Sequence, residues 1–367
     1  MSKKINIAMS DLIVDEPLPW SIYDQDSKLL LSKGQVIGSR EKLDSLSKHG
    51  LFRIVAEDTT VDIHSPFIAV REYIARLSRI YDELEAGKPV GKELAEALAR
   101  EIFELCESES DAALALVHLP NTFDSSLFHP LQCAILCDVI TQPREFPEHE
   151  RVMNIAAALT CNIGMRGLFE QLKKQDTPLS ATQRRVIAQH PQKSAKMLSD
   201  AGVRDAIWLK TVLQHHELND GSGYPGKLKK QDIIRGAKVL AIAERYSIMI
   251  SDHDKAKPIS INDALKTFFM DQSGKYEKKY CLLLVMELSV FPPGSFVKLS
   301  NGETAIVTRR DKDKSTLPSI KCVAAGDGTL IDIPQPRDCS RSDQEIQGIC
   351  TFDAVEELDF NQVWEYA

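Results

Sequence analysis

The chain has no run approaching the roughly 18 consecutive apolar residues that a membrane-spanning helix requires. Behind Met1-Ser-Lys-Lys-Ile-Asn there is neither the apolar stretch nor the small-residue cleavage site of a secretory leader. Eight cysteines, at positions 106, 133, 137, 161, 281, 322, 339 and 350, make no C-x-x-C pair and no framework spacing. That excludes a sequence-evident disulfide scaffold and fits a reducing compartment, the cytoplasm. A basic excess is missing as well. With a formal net charge of −8, the chain lacks the broad positive surface that neutralises nucleic-acid phosphates, so no nucleic-acid partner is expected. The densest basic clusters, Gln183-Arg184-Arg185 and Lys227-Leu228-Lys229-Lys230, read as solvated faces. There is no internal repeat and no low-complexity tract.

What remains is an ordinary globular composition, 43% hydrophobic and 27% charged over 367 residues, long enough for two or three domains. Residues 18–37 hold two short apolar runs around a polar Asp24–Lys28 turn and predict a hairpin. Ser39 then suits the cap of a helix carrying Leu43 and Leu46, ended by Gly50 before a short strand over 51–55. Residues 1–60 are therefore expected to form a small α/β module.

From Val70, Ile74, Leu77 and Tyr81, which share one helical face, to about residue 290, helical periodicity dominates. Helices are predicted over 94–105, 131–140, 152–159, 181–198, 206–215, 235–250, 261–269 and 276–288. The stripe on the helix at 66–84 also suits a homodimer face. The pattern changes at Phe291-Pro-Pro-Gly: Phe296–Thr308 alternates around Asn301-Gly302, a hairpin signal, and short runs follow at 319–324 and 330–333. The fold class is mainly α, divided as 1–60, a helical linker region 61–118, a helical domain 119–290 and a β-rich extension 291–367.

The chemistry-bearing feature is His215-His216. Two adjacent imidazoles on a helix point about 100° apart, so they can serve as metal donors that meet a third from another helix. Two hydrogen-bonded core histidines would account for the dipeptide equally. The loop that follows, Asp220-Gly221-Ser222-Gly223-Tyr224-Pro225, combines glycines that permit positive φ or close approach with an aromatic face and a rigid turn. It suits a planar base with a phosphate, or nothing beyond a turn.

Read as one run, residues 215–225 resemble the signature of the HD-GYP family, H-H-E-x-x-D-G-x-G-Y-P, with every fixed position present. The resemblance extends over about 120–260, and the β segment after Pro292-Pro293-Gly294 is similar to an extension of some relatives. It implies an all-helical HD domain with two or three transition ions, usually iron or manganese, that hydrolyses the bacterial messenger cyclic di-GMP. The family's site histidines map onto His129, His190, His215 and His216, and the aspartate of A-x-A-D falls at Glu244.

The eponymous dyad departs from the pattern. The segment matching L-x-H-D-I-G-K is Leu159-Thr-Cys-Asn-Ile-Gly-Met, with Cys161 for histidine, Asn162 for aspartate and Met165 for the phosphate-directed lysine. An expected glutamate falls at Ser125, and the downstream S-D-R-P-Y reads Ser251-Asp-His-Asp-Lys. Asparagine keeps the shape of the bridging carboxylate without its charge, and two dications ~3.5–4 Å apart repel strongly.

His190, His215 and His216, with His129 and Glu244 beside them, then suit one iron, manganese or zinc ion, or a metal-free hydrogen-bonded cluster that includes Glu217. Cys161 reads first as a small buried hydrophobe, with ligation as a thiolate the alternative. The reading that follows is a degenerate HD-GYP protein binding cyclic di-GMP, or a protein such as a diguanylate cyclase, with weak or no hydrolysis. The alternative is an active phosphodiesterase with an atypical metal centre.

Overall fold

The computed structural model describes residues 2–6, 18, 22–25, 28–32, 34–42 and 52–56, and residues 65–366 apart from 121–122, 143–145, 173–174, 176, 252–258, 272 and 312. The chain divides into two compact units, 1–64 and 65–367.

In the first unit, β1 (Ser2–Asn6), β2 (Ile22–Tyr23), β3 (Leu29–Leu31) and β4 (Phe52–Ala56) form an antiparallel sheet in the order β1-β4-β2-β3. The predicted Asp24–Lys28 turn joins β2 to β3: Asp24 N donates to Lys28 O, and Asp24 Oδ1 accepts from Lys28 N. Ser39 Oγ accepts from Lys42 N at the start of a helical turn. The rest of that expected helix, 43–50, lies outside the described residues.

The second unit opens with α1 (Pro66–Glu85), α2 (Pro89–Ser108), α3 (Ser110–His118), α4 (Ser125–Thr141) and α5 (Glu148–Thr160). A 3₁₀ turn at Ile163–Met165 leads to α6 (Arg166–Leu172), α7 (Ala181–Asp200), α8 (Ala206–Gln214), α9 (Arg235–Ile250), α10 (Ile261–Met270) and α11 (Lys278–Leu288). Local chemistry sets these ends. Ser65 caps α1 ahead of Pro66 at the first helical position. Ser180 and Gln183 make a reciprocal capping box on α7.

One apolar cluster runs from Val70 on α1 to Leu288 on α11, so the segment read as a linker region packs into the same core. The α1 stripe from which a homodimer face was expected, including Leu77, Ile80 and Leu84, is buried within its own chain. The stretch Glu148–Phe169 is long and apolar enough to cross a membrane, but 78% of its apolar window is buried, as befits a core helix.

Beyond α11, β5 (Phe296–Leu299), β6 (Thr304–Arg309), β7 (Ser319–Ala324), β8 (Leu330–Arg337) and β9 (Ile346–Ile349) form an antiparallel sheet in the order β8-β7-β6-β5-β9, closed by the short α12 (Phe360–Trp364). Asn301-Gly302 makes the β5–β6 turn, with Gly302 at φ +85°. Pro334 and Pro336 lie on β8, an edge strand, where a missing N–H breaks no ladder on the solvent side.

An apolar cluster of Ala112, Ala115 and Leu119 with Phe296, Ile306 and Val323 packs this segment on the helices, and polar contacts add to it. Arg310 reaches Asp111, Ser110 and Glu287. His118, at the end of α3, donates through Nδ1 to Pro293 O at 3.0 Å, and its Nε2 accepts from Tyr246 Oη on α9 at 2.9 Å.

Burial pushes the His118 pKa down from 6.5 to about 4. A neutral ring is the one that accepts from Tyr246, so its contribution to stability is complete above pH 6.5 and is lost as pH falls towards 4. The urea midpoint of wild type should exceed that of His118→Gln most clearly at about pH 7, and the gap should shrink towards about pH 4. A gap independent of pH would contradict this.

Candidate metal centre

The site gathers the end of α5, the 3₁₀ turn, α7, the end of α8 and α9. Its geometry begins with two backbone interruptions. Pro191 follows His190 inside α7. Lacking an N–H, it leaves the carbonyl of Ile187, four residues back, without its helical donor. His190 Nδ1 donates to that carbonyl at 2.7 Å. At the end of α8 the last carbonyls are likewise unclaimed by the helix, and His215 Nδ1 donates to Val212 O at 2.7 Å.

Because a carbonyl can only accept, both Nδ1 atoms carry the proton and both Nε2 atoms present lone pairs. Those Nε2 atoms face each other at 3.1 Å. Burial lowers the pKa of both rings, His190 to about 4 and His215 well below its usual value, with the neighbouring histidines adding to the effect on His215. Two lone pairs at that distance repel unless a cation lies between them. A second-nitrogen bond to a backbone carbonyl is also how metal-ligating histidines are held.

His216 brings Nδ1 to 3.8 Å from Glu244 Oε2, and His215 Nε2 lies 3.9 Å from the same oxygen. Glu244, on α9, is buried. Its Oε1 accepts from Asn162 Nδ2 at 3.2 Å and from the Cys161 thiol at 3.7 Å. Among the described residues Glu244 Oε2 and Asn162 Oδ1 have no hydrogen-bond partner. Burial pushes the Glu244 pKa up to about 7 against the hydrogen bonds from Asn162 and Cys161, while burial and the Glu244 carboxylate push the Cys161 thiol well up.

The two facing Nε2 atoms and Glu244 Oε2 are therefore acceptors with no donor between them, the condition that a cation relieves. Two sets of potential ligand atoms lie within 4.8 Å of one another: His190, His215 and His216, and Cys161, His215 and Glu244. The residues fit a transition ion, by donor type and by the orphaned carboxylate oxygen.

His129 lies outside both sets. It is buried, with Nδ1 3.0 Å from Ser247 Oγ. Met165, where a lysine is expected, is half-buried. The Ser125 side chain and residues 252–258 lie outside what is described.

The dyad segment is pinned to α7 by Ser194, whose Oγ donates to Cys161 O at 2.6 Å and accepts from Gly164 N at 2.9 Å. A Cβ on Gly164 would fall 2.8 Å from His190 O, which explains the glycine.

The 220–225 loop is held just as tightly. Tyr224 stacks on His216 with ring centroids 4.6 Å apart, and Tyr224 N donates to His216 O. Asp220 is exposed, and its carboxylate accepts from Ser222 N and Oγ. The Tyr224-Pro225 peptide is cis. Glu217 takes no part in the histidine cluster in which it was expected. Its buried carboxylate accepts from Gly226 N and Leu228 N and so holds the loop's return. Sequence reasoning missed this role, because nothing local marks a glutamate as the acceptor for backbone donors nine and eleven residues ahead.

The comparisons agree with this picture. Residues 122–279 match the family model described as HD domain. The cyclic di-GMP phosphodiesterase PA4108 of Pseudomonas aeruginosa is 23% identical over 272 residues, 74% of this chain and 65% of that protein. The cyclic di-GMP phosphodiesterase PdeB of Borreliella burgdorferi is 24% identical over 206 residues, 56% and 54% respectively. The chain thus spans less than two thirds of the length of these relatives. Among solved structures, Bd1817, a HDG"Y"P protein from Bdellovibrio bacteriovorus, superposes with a TM-score of 0.53 at 16% identity, covering 77% of this chain and 98% of that one. These matches and the run at 215–225 define an HD domain with the helical architecture seen here. Residues 122–279 are thus an HD domain, and the chain is similar to HD-GYP proteins across it.

Two substitutions test the loop's support. Glu217→Gln replaces one of two acceptors with an amide donor facing a backbone N–H, and should cost about 1–3 kcal/mol in urea unfolding. Gly223→Ala places a Cβ 2.4 Å from His216 O and 2.5 Å from Leu218 N. Since both are backbone atoms, overpacking of about 1–3 kcal/mol is expected, together with a shift in the His216 ring resonances as Tyr224 leaves it. Unchanged midpoints and spectra would show that the loop does not depend on these contacts.

Proposed function

We propose that this chain acts in bacterial cyclic di-GMP signalling as a degenerate HD-GYP domain, binding cyclic di-GMP or a protein partner such as a diguanylate cyclase, with weak or no hydrolysis. The observation that carries the proposal is that the two ligand sets share His215, whose Nδ1 is committed to Val212 O. One free nitrogen cannot serve two ions, so the pocket suits one.

The dyad points the same way. Asn162 uses its amide as a donor to Glu244, where a carboxylate would have bridged cations. With Met165 in place of a lysine, no cationic side chain from that position faces a phosphate, and such contacts dominate phosphoryl transfer.

An iron, manganese or zinc ion held by these residues would supply a Lewis-acid contact to a phosphate oxygen. Tyr224, positioned by His216, offers an aromatic face to a base. The names of the relatives, both cyclic di-GMP phosphodiesterases, support the ligand. Eight free thiols suit the cytoplasm as the site of action.

A second reading is an active phosphodiesterase with an atypical centre, in which His190, His215 and His216 hold one ion and Cys161 and Glu244, with His129 outside both sets, support another.

The full chain, purified anaerobically, should carry close to one equivalent of transition metal. It should leave cyclic di-GMP intact with added manganese or ferrous ion, and bind it by calorimetry through Tyr224, with Tyr224→Ala losing the heat. Two equivalents of metal, with hydrolysis abolished by His215→Ala, would establish the second reading instead.

A further inference from the structure

The two ligand sets that share His215 differ in charge. Around a dication, His190, His215 and His216 supply three neutral imidazoles and leave the full charge inside the fold. Cys161, His215 and Glu244 supply a sulfur and a carboxylate, which together neutralise it. All three residues of the second set are buried, Cys161 at 1%, His215 at 0% and Glu244 at 4% exposure. An uncompensated charge at such depth is the costliest outcome available. The second set also has an orphaned atom, Glu244 Oε2, and Asn162, which donates to the same carboxylate, has another at Oδ1. The thiol is a weak donor to Ala158 O at 3.4 Å and to Glu244 Oε1 at 3.7 Å. The Cys161 sulfur is therefore already directed at the carboxylate that would share the ion.

We infer that Cys161 is a ligand in this chain, and that the single ion rests on Cys161, His215 and Glu244 as a zinc-class, thiophilic ion. The inference depends on the one-ion reading above and specifies which side of His215 is used. On binding, the S–H bond breaks, the sulfur pair goes to the ion and the proton leaves to solvent. Thiolate donors favour zinc and cobalt over manganese, whose preferred ligands are oxygens.

Cobalt(II) reports the ligand directly, since a thiolate adds an intense near-ultraviolet charge-transfer band that histidine and carboxylate do not. The metal-free full chain titrated with cobalt should show that band. Cys161→Ser should keep the visible cobalt absorption and lose the band, while Cys133→Ser keeps both. Zinc affinity should fall in Cys161→Ser by at least the roughly 10- to 100-fold that losing an outer partner of a metal ligand costs, with manganese affinity little changed.

X-ray absorption of the zinc-loaded wild type should find one sulfur neighbour, which requires no variant to fold. Zinc or cobalt bound without sulfur would overturn the inference and leave the ion on the three histidines. A wild-type chain that binds neither metal overturns the one-ion reading itself, and this inference with it.

Discussion

The site rests on two imidazoles whose proton positions are dictated by backbone carbonyls. Pro191 frees Ile187 O, the end of α8 frees Val212 O, and each takes a histidine Nδ1 proton at 2.7 Å. Everything else in the pocket follows from the two Nε2 lone pairs that this leaves facing each other. The cluster is costly to assemble without a cation, and the helical core has to hold it. It does so through Ser194, which fixes the dyad segment to α7, and through Tyr81 Oη, which donates to Leu159 O at the end of α5.

That arrangement turns the dyad substitutions into a change of chemistry rather than of shape. An aspartate at 162 would place its charge beside Glu244, tolerable only with cations between them. Asparagine instead donates to Glu244 and steadies it at 3.2 Å. The pocket can then persist with fewer cations, and a two-ion clamp is no longer demanded by the protein's own charges. Loss of the dyad charge and retention of the histidines are thus compatible within one folded site.

Much of the architecture was legible because it is periodic. The predicted helix at 235–250 coincides with α9, and those at 181–198 and 261–269 match α7 and α10 to within two residues. The Asn301-Gly302 hairpin follows from turn chemistry. α3 escaped because Ala112 to Val117 are all buried, so there is no polar face to set a period. In the site, the histidines and Glu244 could be placed by resemblance to a family motif. What could not be read was which atom of each faces inward, since that depends on carbonyls freed by a proline and a helix end. The His190-Pro191 pair held that signal in the sequence. The role of Glu217 did not, because its partners become neighbours only when the loop folds back.

The run at 215–225 therefore combines two kinds of residue that a motif does not separate. Glu217, Gly223 and Gly226 build the turn: one grips two backbone N–H groups, and a Cβ on either glycine would come within 3.0 Å of a neighbour, backbone at Gly223 and the Glu217 carboxylate at Gly226. They are needed wherever this loop is folded, whether or not a bond is ever cleaved. His215 and His216 face the pocket, and their chemistry depends on what Cys161, Asn162 and Glu244 supply from other helices. An intact signature is thus a statement about a loop and two donors. What those donors meet is supplied more than fifty residues earlier, by a thiol at 161 and an amide at 162 that both donate to Glu244.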